Sequence, residues 1–185
     1  MISDIDDTVK LSDVTDRRAL LERTFLRRFE PVPGMPELYR RWRDAGAAFH
    51  FVSSSPWQIQ APLREFLADA DFPPATLHLK QVRFRDASLF DVFETGTVTK
   101  PRQIEPLLKT FPERTFVLVG DTGEQDPEVY AALLRKYPAQ ITHVFLRDVG
   151  GRGSDPARFA DTFAGIPPDR WERFTDPGSL ALPVL

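Results

Sequence analysis

Three short apolar runs in this sequence each stop at a cluster of acids or hydroxyls, and that recurrence constrains the fold more than any other feature. Met1-Ile2 leads into Ser3-Asp4-Ile5-Asp6-Asp7-Thr8-Val9-Lys10. Ala48-Phe49-His50-Phe51-Val52 leads into Ser53-Ser54-Ser55-Pro56, and Thr115-Phe116-Val117-Leu118-Val119 leads into Gly120-Asp121-Thr122-Gly123-Glu124-Gln125-Asp126-Pro127-Glu128. A run that is apolar at successive positions suits a strand covered on both faces. Further strands are expected at Thr76 to Val82 and Ile141 to Leu146.

Helical spacing fills the intervals. Leu21, Phe25 and Phe29 recur every four residues and predict a helix within 13–29, broken by Pro31-Val32-Pro33-Gly34. A second helix is expected from Pro36 to about Ala45, with Leu38, Tyr39 and Trp42 inward and Gly46 as its stop. Pro56 is expected to open a third, with Ile59, Leu63, Phe66 and Leu67 as its inner stripe. Others are expected from Pro101 to Thr110 and from Pro127 to Tyr137, and 84–99 reads as a hairpin or loop excursion. Strands alternating with helices indicate an α/β, Rossmann-like three-layer fold around a central, mostly parallel sheet. Ligands in such sheets bind outside the carboxyl ends of the strands, so the three polar clusters should meet on one edge.

At 185 residues, 42% hydrophobic and 28% charged, one globular domain is expected. The absence of cysteine excludes thiol catalysis, disulfides and Cys-based zinc sites. No apolar run approaches the ~20 residues of a membrane span, and the N-terminus lacks the pattern of a secretory signal, so a cytoplasmic protein is expected. His50, His78 and His143 are far apart in strand-like runs and are expected to pack rather than ligate. The net charge of −3 gives no reason to expect nucleic acid as a partner. Between residues 17 and 43, however, eight arginines (17, 18, 23, 27, 28, 40, 41 and 43) face three glutamates. That excess reads as a solvated helix face or as a collar for an anionic surface.

On an extended strand end Asp4 and Asp6 point to the same side, and two acids so placed call for a cation or a shared proton. Alone, the octapeptide fits an Asx-turn as well as a site. With the other clusters it makes four acids, hydroxyls and a lysine without a His or Cys group, which suits a hard, oxygen-seeking cation, Mg²⁺ first. The Ser54 and Ser55 amides, near a helix opened at Pro56, would cradle an anion, and a lysine would add charge on a phosphoryl group. The implied chemistry is phosphoryl transfer.

These residues resemble the four motifs of the haloacid dehalogenase superfamily of aspartyl phosphatases: Asp-x-Asp-x-Thr (Asp4, Asp6, Thr8), a strand ending in Ser53, Lys100 before a helix, and Gly-Asp followed by Asp126. Ser-Asp-Ile-Asp-Asp-Thr-Val-Lys, Pro-Gly-Met-Pro-Glu-Leu-Tyr, Val-Ser-Ser-Ser-Pro-Trp and Gly-Asp-Thr-Gly-Glu-Gln-Asp-Pro-Glu-Val-Tyr look like the catalytic domain of the actin-patch-associated phosphatidate phosphatases. The resemblance spans roughly residues 1–150.

The resemblance implies that Asp4 is the nucleophile and Asp6 the general acid and base. It implies that Asp4, the Asp6 carbonyl and Asp121 hold Mg²⁺, that Ser53, Ser54 and Lys100 bind phosphate, and that Thr8 and Asp126 support the site. Lys10 and Lys80 are rival candidates for the phosphate-binding lysine. Asp7 and Glu124 read as surface or capping residues, and Trp57 as core or rim. The chain left between the motifs allows only a minimal or small cap, so the expected substrate is a phosphate on something large. A phosphatidate-like lipid at a bilayer surface fits, with peripheral membrane contact; the alternatives are a nucleic-acid end, a phosphoprotein, or a catalytically silent phosphate- or lipid-binding module. A phosphorelay receiver domain fits poorly, since its acid pair would be adjacent in sequence.

Two regions read differently. Three residues before Asp4 are few for a central strand, so that strand is expected to be compromised or to lack upstream residues. Residues 151–185 read as a C-terminal extension outside the motifs, opened by a flexible turn at Gly151-Arg152-Gly153-Ser154.

Overall fold

A computed structural model describes residues 1–11, 29–81 and 96–183. Six strands, β1 (Ile2–Asp4), β2 (Phe49–Pro56), β3 (Ala75–Lys80), β4 (Phe116–Asp121), β5 (Ile141–Arg147) and β6 (Trp171–Phe174), form one sheet in the order β3-β2-β1-β4-β5-β6. Every pairing is parallel. The helices are α1 (Met35–Asp44), α2 (Gln60–Asp69), α3 (Gly96–Thr110), α4 (Asp126–Lys136) and α5 (Pro156–Thr162).

Period-two alternation divides the strand side chains between two cores. Phe51, Val117, Val119 and Phe145 join Leu38, Tyr39 and Trp42 of α1 and Leu63 and Phe66 of α2 on one face. Ile2, Val52, Phe116, Leu118 and Val144 join Ile104 and Leu108 of α3, Tyr130 and Leu133 of α4, and Phe159 of α5 on the other. This is the three-layer α/β arrangement expected from the sequence.

The strand carrying Asp4 is three residues long and still central: Ile2 pairs with His50 on one side and Leu118 on the other. Ser3 anchors it further, its hydroxyl sharing a 2.7 Å hydrogen bond with the buried Tyr39 hydroxyl. Two neighbours supply what length does not.

Several expected boundaries move. Pro56 closes β2 instead of opening a helix: its backbone is extended (φ −68°, ψ 146°), a 3₁₀ turn follows at Trp57–Ile59, and α2 begins at Gln60. Proline fixes φ but leaves ψ free, so the ring suits either state. Residues 96–99 belong to α3, which starts ahead of Pro101 and carries Pro101 and Pro106 inside it. The expected helix within 13–29 falls almost wholly on residues outside those described, as do five of the eight arginines and most of the 84–99 excursion. The tail is no appendage, because β6 pairs with β5 through Val144 to Arg147 and α5 packs in the second core. Gly151–Ser154 forms a 3₁₀ turn.

Candidate active site

The carboxyl ends of β1, β2 and β4 bring the polar clusters together as expected. Asp4 ends β1 and Asp121 ends β4, side by side in the sheet, while Asp126 opens α4 and reaches back beneath Asp121. That return needs Gly120: a Cβ there would lie 2.3 Å from Asp126 Oδ2 and 2.7 Å from Tyr130 Cε2. The Asp121 N–H donates to Asp126 Oδ2 at 3.3 Å.

Lys100 enters from α3, within the helix rather than at its head. Its Nζ is 2.8 Å from Asp4 Oδ1 and also pairs with Asp126 Oδ1. Thr8 donates to the other Asp4 oxygen at 3.3 Å, so both oxygens of the carboxylate are engaged. Asp4, Thr8, Lys100, Asp121 and Asp126 are all buried.

One oxygen from each of Asp4, Asp121 and Asp126 can lie within 4.8 Å of the others. Asp121 Oδ1 accepts the N–H groups of Gly123 (2.5 Å) and Glu124 (3.0 Å), whereas its Oδ2 is buried with no hydrogen-bond partner. An orphaned carboxylate oxygen inside an all-oxygen triad fits a hard divalent cation such as Mg²⁺.

The charge states follow from the surroundings. Burial raises the Asp4 carboxyl well above the usual range; Lys100 opposes this, and the nearby acids reinforce it. Burial, then repulsion from Asp126, pushes Asp121 up to about 7 against the pull of Lys100 and the two backbone N–H groups. For Lys100 burial opposes the charge, but Asp126 and Asp4 outweigh it and hold the ammonium firmly protonated.

Asp6 stands apart from the triad. Its Oδ1 is 2.6 Å from Lys10 Nζ, and its Oδ2 accepts from Ser53 Oγ at 3.0 Å and Ser55 Oγ at 3.3 Å. Burial works against ionisation there, yet Lys10 and the Ser53 hydroxyl outweigh it and lower the carboxyl below its ordinary value. In this arrangement Asp6 is held as the carboxylate, paired with Lys10.

Ser53 is buried at the site, but the expected cradle of amides at a helix N-terminus is not formed. The Ser55 N–H donates to Ser53 Oγ at 2.9 Å, and α2 begins only at Gln60. Ser54 Oγ is buried without a partner. Lys80 ends β3 at the same sheet edge, beyond β2. Asp7 takes a positive φ of 53°, and its carbonyl accepts from Arg147 at 2.7 Å, so it shapes the turn. Glu124 and Trp57 are exposed, so Trp57 is not a core residue. His50 and His78 share Thr76 (2.5 and 3.0 Å), and the His143 ring lies 4.3 Å from that of Phe145.

Gln103, unassigned from sequence, donates to the Ser53 carbonyl at 2.9 Å one turn beyond Lys100. Its three-residue spacing from Lys100 was a usable signal. Arg158, which bonds to the Thr122 and Glu124 carbonyls, gave none.

Known proteins resemble the chain in fold and in sequence. In 96% of its length the chain superposes on 92% of a D,D-heptose 1,7-bisphosphate phosphatase from B. bronchiseptica complexed with magnesium and phosphate, at TM-score 0.55 and 14% identity. It also matches a chain of the Pnkp1/Rnl/Hen1 complex at TM-score 0.53 and 16% identity, covering 76% of this chain and 43% of that one. These likenesses carry the three-layer α/β fold. In sequence it is 36% identical over 162 residues to phosphatidate phosphatase APP1 of Saccharomyces cerevisiae, covering 84% of this chain and 27% of that protein. An uncharacterized Schizosaccharomyces pombe protein is 32% identical over 153 residues, covering 80% and 25%. The chain thus spans about a quarter of the length of these relatives. The family model for the phosphatidate phosphatase APP1 catalytic domain matches residues 1–148, from the β1 acids through the end of β5, and the chain belongs to that family.

Proposed function

We propose that this domain is a Mg²⁺-dependent phosphomonoesterase that works through an aspartyl-phosphate on Asp4, with a phosphatidate-like lipid phosphate as substrate. The observation that carries the reading is the buried set of Asp4, Lys100, Asp121 and Asp126 at the carboxyl edge of a parallel sheet, with one carboxylate oxygen left unpaired.

Asp4, Asp121 and Asp126 would hold the cation, which would offset their mutual repulsion and polarise a phosphoryl oxygen. An Asp4 oxygen attacks phosphorus while the P–O bond to the ester oxygen breaks and the leaving oxygen takes a proton from the protonated Asp6 carboxyl, leaving phosphate on Asp4, a free alcohol and an Asp6 carboxylate. Water then attacks phosphorus, giving its proton to Asp6 and releasing inorganic phosphate and free Asp4. The lowered Asp6 carboxyl is in the state this second step needs. Lys100 supplies fixed positive charge beside the reacting carboxylate, where charge accumulates in the transition state. Thr8 and Ser53 hold Asp4 and Asp6 in register by hydrogen bonds.

The lipid part of the reading is supported by the similarity to the yeast phosphatidate phosphatase and by an edge without a large covering domain among the described residues. No helix among those residues is long and apolar enough to cross a membrane. The test is release of inorganic phosphate from phosphatidate in mixed micelles, from a water-soluble aryl phosphate, and from phosphopeptide and 3′-phosphoryl oligonucleotide controls, each with and without EDTA. Preference for phosphatidate by kcat/KM, abolished by EDTA, is expected; EDTA-resistant turnover would refute the metal dependence, and a higher kcat/KM for another substrate would refute the lipid assignment.

A further inference from the structure

We infer that Arg158, on α5 and beyond the residues matched by the family model, is a positioning residue for the cation, clamping the backbone of the loop that carries Asp121 and Asp126. The inference rests on the reading of Asp4, Asp121 and Asp126 as the cation's ligands.

The Asp121 side chain is oriented by its own loop. Because Gly123 and Glu124 direct their N–H groups at Oδ1, the carboxylate that belongs to the triad is held in one orientation and its Oδ2 is left without a partner. Any shift of residues 122–125 therefore moves a ligand.

The groups that fix that stretch come from the end of β5 and the chain after it. The Arg158 guanidinium donates from Nη1 to the Thr122 carbonyl at 2.6 Å and from Nη2 to the Glu124 carbonyl. Its Nε and Nη2 also make a two-pronged pair with Glu128 in the first turn of α4, each bond 2.7 Å. One planar, permanently charged group thus ties the residues flanking the Gly123 amide to the helix that presents Asp126. Thr122 is held from two further directions: its N–H donates to the Arg147 carbonyl at 2.9 Å, and its hydroxyl accepts from the Val149 N–H at 3.1 Å. Gly153 closes over the same point, since a Cβ there would lie 2.4 Å from the Thr122 carbonyl oxygen.

An ion pair serving the fold alone would need only Glu128. The two carbonyl bonds instead brace the Thr122–Gly123 peptide group, whose N–H orients Asp121, and the peptide group following the Glu124 N–H. Groups that orient a metal ligand from behind are worth about 10- to 100-fold in affinity.

The experiment measures Mn²⁺ affinity, with Mg²⁺ as competitor, by calorimetry on the whole 185-residue chain, together with amide hydrogen exchange over residues 121–126. Wild type is compared with Arg158→Ala, Arg158→Lys, Gly153→Ala and Glu128→Gln. Arg158→Ala should weaken Mn²⁺ about 10-fold or more and accelerate exchange at Gly123 and Glu124, and Gly153→Ala should do the same from the opposite side. Arg158→Lys, a point charge unable to reach both carbonyls, should weaken it at least about threefold and carries the test if the alanine variant does not fold. Glu128→Gln, which keeps the carbonyl bonds, should stay within about threefold of wild type. Wild-type affinity in both Arg158 variants overturns the clamp alone, and so does a loss in Glu128→Gln equal to that in Arg158→Ala. A wild-type chain that binds neither ion overturns the triad reading and the clamp with it.

Discussion

Lys100 Nζ sits 2.8 Å from Asp4 Oδ1 with both side chains almost wholly buried, 2% and 3% exposed. The same ammonium pairs with Asp126, so one cation stands between two carboxylates, with Asp121 adding a third acid nearby. Removing it leaves that negative charge uncompensated in a dry setting. Lys100→Met should lower the unfolding free energy by about 3–5 kcal/mol, measured by urea unfolding in EDTA, and should abolish phosphate release. A loss under about 1 kcal/mol would show that water or a proton already neutralises the acids.

Asp4→Asn removes a charge that burial and three neighbouring acids oppose. Its melting temperature in EDTA should match or exceed that of wild type, while turnover falls roughly 10³-fold or more. Wild type should be stabilised by beryllofluoride with Mg²⁺ and the variant should not. Activity retained in the folded variant would remove Asp4 from the nucleophile's role.

Lys10 holds Asp6 ionised through a 2.6 Å contact. Lys10→Met takes away the chief influence lowering the Asp6 carboxyl, whose value then moves up under the burial that remains. Because Asp6 acts as base on the aspartyl-phosphate, the acidic limb of the kcat profile should shift to higher pH in the variant. An unmoved limb would assign it to another group.

Proton and cation compete at Asp121. Its carboxyl rises from 3.8 to about 7 in the folded chain without metal. Between those values the folded state binds a proton that the unfolded state does not, so this group's contribution to metal-free stability is lost as pH rises through about 7. A divalent cation has no such proton to displace above that point. The rise in melting temperature on adding Mg²⁺ should therefore be larger near pH 8 than near pH 5.5, and equal increments at both would contradict the coupling.

Gly120→Ala places a Cβ 2.3 Å from Asp126 Oδ2 and 2.7 Å from Tyr130, neither of which can retreat within the core. It should cost about 1–3 kcal/mol in urea unfolding and weaken Mn²⁺ binding by moving Asp126. Wild-type metal affinity in a folded variant would show that Asp126 is not a ligand.

Much of this site was legible because apolar runs that stop at acids mark strand ends, and strand ends share an edge. Asp4, Ser53 and Asp121 converge for that reason; Lys100 reaches them from α3 and Asp126 from the start of α4, and the family resemblance pointed to both. Proline was the misleading residue. Pro56 and Pro101 both read as helix starts, but φ near −65° is common to strand, turn and helix, and ψ is set by the packing of the residues after the ring. The anion cradle expected at Ser54 and Ser55 fell with Pro56. Arg158 left no trace, because it acts on backbone carbonyls and those carry no side-chain signature. β6 was missed for a similar reason: Trp171-Glu172-Arg173-Phe174 is an edge strand with two charged residues, and only its pairing with β5 identifies it.

A three-residue strand flanked on both sides by distant partners also has a kinetic meaning. Ile2 finds its hydrogen-bonded neighbours at His50 and Leu118, so neither ladder can be completed by local contacts. The loop-closure entropy of both pairings must be met before β1 gains anything. Asp4 should thus be among the last groups to reach its native place, and a ribosome-bound chain that has not yet released β4 would carry Asp4 without the acids and the strand that surround it.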